Sequence, residues 1–230
     1  MAPKKRPILV SWSGGKDSAL ALYRLLQEEN WEVVGFLCTF TAPYRRLTMH
    51  GVRRALVERQ VASMGLAPMV PILIPAHASN AVYETAWAEA LAPFRQRGVR
   101  HVAFGDIFLE DIREYRWRQM AALGMEPVWP IWTGTPDPEA SLALLKEFWQ
   151  AGFRTRVVCV DARCLSPAWA GQELTPGAIR ALPRDVDPCG ERGEFHTFVF
   201  QGPLFAEPLR HRLGIRVTRE GFHYRDLVPL

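Results

Sequence analysis

The first half of the chain alternates short apolar runs with longer stretches in which apolar residues recur every three or four positions. The run 8–12 is apolar, and residues 17–28 after it carry apolar side chains at helical spacing. Short apolar runs predict buried strands, and helical spacing predicts helices with one apolar face. The predicted strands are 8–12, 31–40, 69–74, 99–104 and 126–131, and the predicted helices are 17–28, 51–64, 81–97 and 111–123.

This alternation predicts the fold class. Strands that alternate with helices form βαβ units, so we expect an α/β fold with a parallel sheet flanked by helices. Pro71 lies in the third strand and cannot donate to a ladder, which predicts an edge strand or a short one. Ligands bind at the carboxyl ends of parallel strands. The loops that follow Trp12, Phe40 and Phe104 should therefore converge on one crevice.

The character of the chain changes after the segment 133–138, which contains two prolines and a glycine. A predicted helix at 139–151 and a predicted strand at 155–160 continue the earlier pattern. Beyond them the chain is richer in glycine and proline, with short strand-like pieces at 197–201 and 222–227. We therefore predict two domains, 1–136 and 137–230, the second a smaller α+β lobe that binds the substrate.

Composition and charge narrow the class of protein. Hydrophobic residues make up 48% and charged residues 23%, as in globular domains. No run is long enough for a membrane helix or a signal-peptide core, so we expect a cytoplasmic protein with no membrane partner. A net charge of +4 could indicate nucleic acid, but the arginines are spread out, which makes that partner unlikely on this pattern. The cysteines lack zinc-like spacing and are expected to be free thiols: Cys38, Cys159, Cys164 and Cys189.

The segment 13–18 joins the first predicted strand to the first predicted helix and has the composition of a phosphate site. Its glycines let the backbone approach an anion, and the helix N-terminus favours negative charge. The lysine adds a cation, the serines add hydroxyl donors, and the aspartate can hold Mg²⁺. The spacing is neither that of a Walker A loop nor that of a dinucleotide fingerprint. We predict that ATP is bound, with Mg²⁺, by Ser13, Gly14, Gly15, Lys16, Asp17 and Ser18.

Other strand ends and loops add candidate residues for the nucleotide. Thr39 and Phe40 end the second strand, and Gly105 and Asp106 end the fourth, where they could contact the nucleotide or a metal. Asp106 could equally cap a helix. His50 could touch a phosphate or be an ordinary structural histidine.

Two polar groups are candidates for the substrate and the chemistry. Arg116 and Arg118 could bind an acidic substrate or face solvent. A cluster late in the chain carries groups suited to proton transfer and substrate hydrogen bonding, although a solvated hairpin turn would look similar. From this cluster we predict substrate-binding roles for Cys189, Gly190, Glu191, Glu194, His196 and Thr197, and we predict catalytic roles for Lys16, Asp17, Glu191 and Glu194.

The loop 13–18 resembles the pyrophosphate loop of the N-type ATP pyrophosphatases, whose pattern is Ser-Gly-Gly-x-Asp-Ser. Further segments resemble the diphthine–ammonia ligase family of the PP-loop superfamily. They are residues 48–52, 104–107, 115–118 and 189–198, the last leading to 202–205. The resemblance covers almost the whole chain in the right order. It implies a HUP-like fold, attack on the α-phosphate of ATP, release of pyrophosphate, and amidation of the adenylated substrate by ammonia or an amine.

The late motif departs from the family pattern Glu-Gly-Gly-Glu-Tyr-Glu-Thr at Arg192, Phe195 and His196. A histidine in place of a carboxylate changes the charge near the substrate, so the acceptor, a small molecule or a modified residue, is left open. Two alternatives to the ligase also stay open: an enzyme that modifies a tRNA base and a non-catalytic sensor of adenine nucleotides. A homodimer is one option for the oligomeric state.

Overall fold

The structure is a computed structural model that describes residues 5–230, so the first four residues of the predicted N-terminal domain lie outside it. Its larger sheet contains five parallel strands in the order β4-β2-β1-β5-β6, and the short β3 pairs antiparallel with the end of β2. The strands are β1 (Arg6–Ser11), β2 (Trp31–Thr41), β3 (Arg46–Leu47), β4 (Met69–Ile74), β5 (His101–Ala103) and β6 (Glu126–Val128).

Four helices cover the two faces of this sheet. Helices α1 and α2 pack with β1 residues such as Ile8 in one apolar cluster, whereas α3 and α4 pack with Leu9 in the other. Neighbouring residues of β1 thus point to opposite faces, as the pleat requires. The helices are α1 (Lys16–Gln27), α2 (Arg54–Met64), α3 (Asn80–Gln96) and α4 (Glu110–Ala122).

These elements match the sequence prediction closely. All five predicted strands and all four predicted helices are present, with boundaries shifted by no more than three residues. The strand that contains Pro71 pairs with β2 alone and is an edge strand, as predicted. The mostly parallel sheet, together with a smaller antiparallel sheet in the C-terminal lobe, fits a HUP-like α/β fold.

The second sheet corrects one expectation. Helix 139–151 and strand 155–160 do form, but the strand does not continue the parallel pattern: it is central in an antiparallel sheet of order β8-β7-β10-β9. Its residues from Val157 to Asp161 are all buried, so its sequence looks like that of a parallel strand. The elements are α5 (Pro138–Gln150), β7 (Arg154–Asp161), α6 (Pro176–Arg180), β8 (Phe195–Gln201), β9 (His211–Arg219) and β10 (Phe222–Pro229), with 3₁₀ turns at Ala42–Tyr44 and Pro167–Trp169.

Candidate functional site

The loop between β1 and α1 makes a tight turn that leaves no room for side chains at its glycines. Gly14 has a left-handed φ of 67°, and a Cβ there would lie 2.5 Å from Oε1 of Gln60. A Cβ on Gly15 would lie 3.0 Å from the His50 ring and 3.1 Å from the carbonyl oxygen of Thr197. The contact at Gly14 is shorter than real Cβ contacts, and those at Gly15 are tighter than most, so close packing favours glycine at both positions.

The second sheet and α2 hold this loop from behind. The amide of Val199 on β8 donates to the carbonyl of Gly14 (2.9 Å), and the side-chain amide of Gln60 donates to that carbonyl (3.0 Å) and to the carbonyl of Val199 (2.7 Å). The first amide of α1, on Lys16, donates to the hydroxyl of Thr197 (3.0 Å). The loop is therefore fixed by residues distant in sequence.

The two serines organise the loop internally. The hydroxyl of Ser13 lies 3.1 Å from that of Ser18 and accepts the amide of Gly15 at 3.3 Å. The hydroxyl of Ser18 donates to the carbonyl of Gly15. The other strand end also comes very close, because a Cβ on Gly105 would lie 2.9 Å from the amide nitrogen of Ser18.

Lys16 and Asp17 form a charged pair at the base of the cleft. The ammonium of Lys16 lies 2.8 Å from both carboxylate oxygens of Asp17. The lysine side chain is 4% exposed and that of the aspartate 30%, so the aspartate is the more open of the two. Burial works to lower the pKa of Lys16, but the charge and hydrogen bond of Asp17 help to outweigh it and the pKa is raised. Lys16 therefore stays positively charged at the loop.

Two histidines stand next to this pair. The rings of His50 and His196 are 4.6 Å apart, and Nδ1 of His50 lies 3.1 Å from the carbonyl oxygen of Thr197. Because a carbonyl only accepts, Nδ1 carries the proton and Nε2 keeps a lone pair. Burial lowers the pKa of His50 to about 4, and burial together with the nearby charges of His50 and Lys16 lowers the pKa of His196 well below its usual range. Both rings are neutral at neutral pH.

The late loop, residues 187–194, forms the opposite wall and is held together by a buried aspartate. The carboxylate of Asp187 accepts the amides of Cys189 (2.9 Å) and Glu191 (3.1 Å) and the hydroxyl of Ser141 (2.7 Å). The amide of Asp187 in turn donates to the buried carboxylate of Glu194 at 2.9 Å. These bonds fix the direction in which Glu191 points.

Glu191 lies across the cleft from the loop 13–18, which we call the phosphate loop. Its carboxylate accepts the amide of Ile107 at 2.8 Å. Burial, followed by the negative charge of Asp17, raises its pKa to about 8. At neutral pH this carboxyl is mostly protonated, so it adds little negative charge to the cleft and can donate a hydrogen bond.

Asp106 and Arg116 pair with each other in the third wall. The guanidinium of Arg116 contacts both carboxylate oxygens of Asp106, at 2.7 and 3.2 Å, and the indole N–H of Trp129 donates to the same carboxylate. Arg116 also lies over the ring of Phe104, 4.5 Å from its centroid. Arg118, by contrast, is exposed and lies 3.7 Å from Glu114.

Comparison with protein families assigns both parts of the chain. Residues 6–127 match the diphthamide synthase N-terminal domain, and residues 140–226 match the diphthamide synthase C-terminal domain. The chain belongs to the diphthamide synthase family. This confirms the resemblance found in the sequence, while a search of curated proteins gives no match. The predicted boundary at 136/137 falls between the two matches and stays a prediction.

In this member of the diphthamide synthase family, most of the predicted residues meet in one cleft of about 350 Å³. The lining includes parts of all three predicted strand-end loops and of the late loop. The predicted residues that line it are Ser13, Lys16, Asp17, Ser18, Thr39, His50, Gly105, Asp106, Arg116, Gly190, Glu191, His196 and Thr197.

The remaining predicted residues lie behind the cleft surface. Gly14 and Gly15 shape the loop from its back, as described above. The side chain of Phe40 is fully buried in the core, because alternation in β2 turns it away from the cleft. Cys189 is buried, with its thiol 3.4 Å from the carbonyl of Ser141, and Glu194 is buried beneath the turn that exposes Glu191.

The apolar part of the lining was not predicted. Tyr83 and Trp87 on α3 contribute to it together with Trp12, Phe104 and Met49. These side chains come from separate elements, and no local motif marks them. Asp187 and Gln60, which hold the loops, also escaped the sequence analysis, although the Asp-Pro-Cys-Gly turn at 187–190 is a local signal for the first of them.

Within residues 5–230, no three His, Cys, Asp or Glu side chains are grouped so that they could hold a metal ion. In the same part of the chain, none of the helices combines the length and the apolar character needed to cross a membrane.

Proposed function

We propose that the protein is an ATP-dependent ligase that forms AMP and pyrophosphate while it adenylates a carboxylate or carbonyl group for amidation. The family assignment supports the use of ATP. The observation that carries the proposal is the cleft itself, in which the glycine loop with its buried cation, Lys16, faces the acidic late loop with Glu191.

The phosphate loop suits the β- and γ-phosphates. The N-terminus of α1 and the ammonium of Lys16 attract negative charge, and Ser13 and Ser18 line the same surface. Asp17 fits a role in holding Mg²⁺, because part of its carboxylate is exposed on the cleft. Phosphate oxygens would complete the ligands, and the ion would neutralise charge on the leaving pyrophosphate.

The chemistry balances in two steps. An acceptor oxygen forms a bond to the α-phosphorus, and the bond from that phosphorus to the bridging oxygen breaks, so pyrophosphate leaves with the electron pair. Ammonia or an amine then bonds to the activated carbon, AMP leaves with its oxygen, and the nitrogen loses a proton. Positioning and electrostatic stabilisation would supply most of the acceleration.

Glu191 and the two histidines fit distinct roles in this scheme. The protonated carboxyl of Glu191 can face phosphate oxygens without repelling them and can donate a hydrogen bond to the acceptor oxygen. The neutral ring of His50 presents a lone pair that can accept an N–H bond from the incoming amine. His196 lies beside it, with its buried Nε2 unpaired among the described residues.

No observation favours the two alternatives. A tRNA-modifying enzyme with a catalytic cysteine would place one at the cleft, but Cys159 and Cys164 do not line it, and burial raises the pKa of Cys159 to about 12. A pure sensor would not need both Lys16 and Glu191 aimed at the same space.

The test is product analysis of ATP incubated with Mg²⁺, ammonium and fractionated small metabolites. We expect AMP and pyrophosphate from the wild type and neither from Asp17→Asn, whereas Arg118→Ala, which alters an exposed residue outside the cleft, should behave like the wild type. ADP and phosphate as products would overturn the proposal. If the protein binds ATP but no fraction yields any product, the non-catalytic sensor of adenine nucleotides is the remaining hypothesis.

A further inference from the structure

A second cavity, of about 650 Å³, adjoins the cleft and is the larger of the two. It lies between the carboxyl ends of β2 and β4 on one side and the β9–β10 hairpin on the other. The two spaces are adjacent, because four residues line both: Leu47, Thr48, Met49 and Tyr83. A volume in this range holds a drug-sized organic molecule.

The wall of the second cavity concentrates unusual backbone. Among residues 5–230, the non-glycine residues with left-handed φ are Arg45 (50°), Met49 (66°), His77 (55°) and Glu220 (51°). Three of them line the cavity, and Arg45 lies between two residues that do. Strained backbone of this kind clusters at ligand sites. Glu220 belongs to the turn between β9 and β10, so Met49 and His77 are the residues whose backbone supports a binding role for this wall.

The lining combines an apolar floor with cationic groups. Ile215 and Val217 on β9 face Ile74 at the end of β4. Arg219 lies over the ring of Tyr44, 4.2 Å from its centroid.

The wall carries two acids, and one of them, Asp226, is bound by Arg46 at 2.8 Å and by Arg53 at 2.6 Å. The other, Glu220, lies next to Arg219 in the chain and 3.6 Å from His77. The apolar floor suits a ligand with an apolar body, and Arg219 offers a cation that an acidic ligand can approach.

We propose that the second cavity binds the acceptor substrate, an organic carboxylate whose apolar body packs on Val217, Ile215 and Ile74. Its carboxylate reaches the cleft past Thr48 and Met49. This inference rests on the proposed function, since the acceptor must meet the α-phosphate in the cleft. No residue of the loop 13–18 lines the second cavity, so phosphates held by that loop would leave the cavity free.

Strand β9 offers a matched pair of variants. Val217 and Leu213 are both 40% exposed on β9, but a bulge between them turns Leu213 to the other face, and only Val217 lines the cavity. Val217→Asp places a charge against the apolar floor, whereas Leu213→Asp makes the same change outside it. Ile215→Asp is a second cavity variant at a position 69% exposed, where the fold tolerates a polar side chain.

The probe is anilinonaphthalene sulfonate, an apolar anion whose fluorescence rises in apolar sites, titrated with saturating α,β-methylene-ATP present. We expect the probe to bind alongside the nucleotide, and Val217→Asp and Ile215→Asp to weaken its binding by about tenfold, because each replaces an apolar contact with a negative charge that repels the anionic probe. Leu213→Asp should leave it unchanged, and all three variants should bind the nucleotide normally. The same cavity variants should lose the AMP formation that an active metabolite fraction stimulates.

Three results would overturn the inference. Loss of nucleotide binding in Val217→Asp would assign the cavity to the adenosine part of ATP. Loss of probe binding in Val217→Asp together with a change from dimer to monomer in light scattering would assign this face to contact between two copies. Probe binding that no variant changes would show that the cavity is unused. If no fraction yields AMP, the proposed function fails, while the probe titration still reports whether an apolar anion binds beside the nucleotide.

Discussion

The nucleotide cleft and the second cavity meet at Thr48 and Met49, yet they are built by opposite means. The cleft depends on glycines, helix-end amides and buried charges in a short motif, all held by hydrogen bonds. The cavity depends on apolar side chains from four distant segments and on strained backbone. Under the proposed roles, the first construction suits the phosphates that every ATP-dependent reaction shares, and the second suits an acceptor that can differ between relatives.

The largest effect should come from removing the cation of the cleft. Lys16→Met keeps the length of the side chain but removes the charge beside the leaving pyrophosphate, and we expect AMP formation to fall by about 10²- to 10³-fold. Lys146→Met, an exposed lysine on α5, is the control. Equal rates in steady-state assays of both variants would remove Lys16 from the chemistry.

A smaller effect should follow from filling the loop. In Gly14→Ala the new Cβ meets Gln60, and the alanine has to adopt the left-handed φ that this position has in the fold. We therefore expect the free energy of unfolding to fall by about 2–3 kcal/mol. Gly65 has a nearly equal φ of 63°, with nothing within 4 Å of its Cβ, and Gly65→Ala should cost about 1 kcal/mol. Urea titrations that gave equal losses would mean that the close packing at Gly14 is unimportant.

The third prediction concerns Glu191 and pH. Its pKa of about 8 in the folded state is above its unfolded value, so the unfolded chain releases this proton first as pH rises. The wild type should therefore lose stability relative to Glu191→Gln between about pH 4.5 and 8, with no further change above that range. Thermal unfolding at several pH values measures the difference. Glu32→Gln, at an exposed position of β2, is the control. If the stability difference between Glu191→Gln and the wild type is the same at every pH, as for a control without a buried carboxyl, Glu191 is not protonated in the folded protein.

The smallest effect should arise at the cavity wall. Glu220 and Gly221 both have positive φ, as in the turn that favours Asn-Gly. Glu220→Asn should raise the free energy of unfolding by about 0.5 kcal/mol, because asparagine tolerates this conformation better. Chemical denaturation checks the gain, and a loss would mean that Glu220 makes a stabilising contact worth more than its strain.

The sequence allowed prediction wherever the signal was local. The loop 13–18 and the alternation of strands and helices lie within single stretches of chain, and both appear in the structure. The antiparallel pairing of β7 was not predicted, because a strand buried on both faces has the same sequence pattern in a parallel sheet and in the centre of an antiparallel sheet. Strand β9 was missed although Leu213, Ile215 and Val217 alternate with polar or small residues, which is a legible strand pattern.

The site was predictable to a similar degree. Glu191 and Glu194 looked equivalent in the sequence, but the turn fixed by Asp187 places Glu191 on the cleft lining and Glu194 beneath it. The second cavity left no trace in the sequence, because its walls come from four segments brought together only by folding.

The hydrogen bond from the first amide of α1, on Lys16, to the hydroxyl of Thr197 has a consequence for folding during synthesis. The loop 13–18 leaves the ribosome 181 residues before the Thr197 hydroxyl that completes it, and Val199 follows Thr197. A nascent chain should therefore be unable to form the finished loop until the second sheet begins to assemble. Under the proposed function, nucleotide binding would then be confined to chains in which both sheets are present.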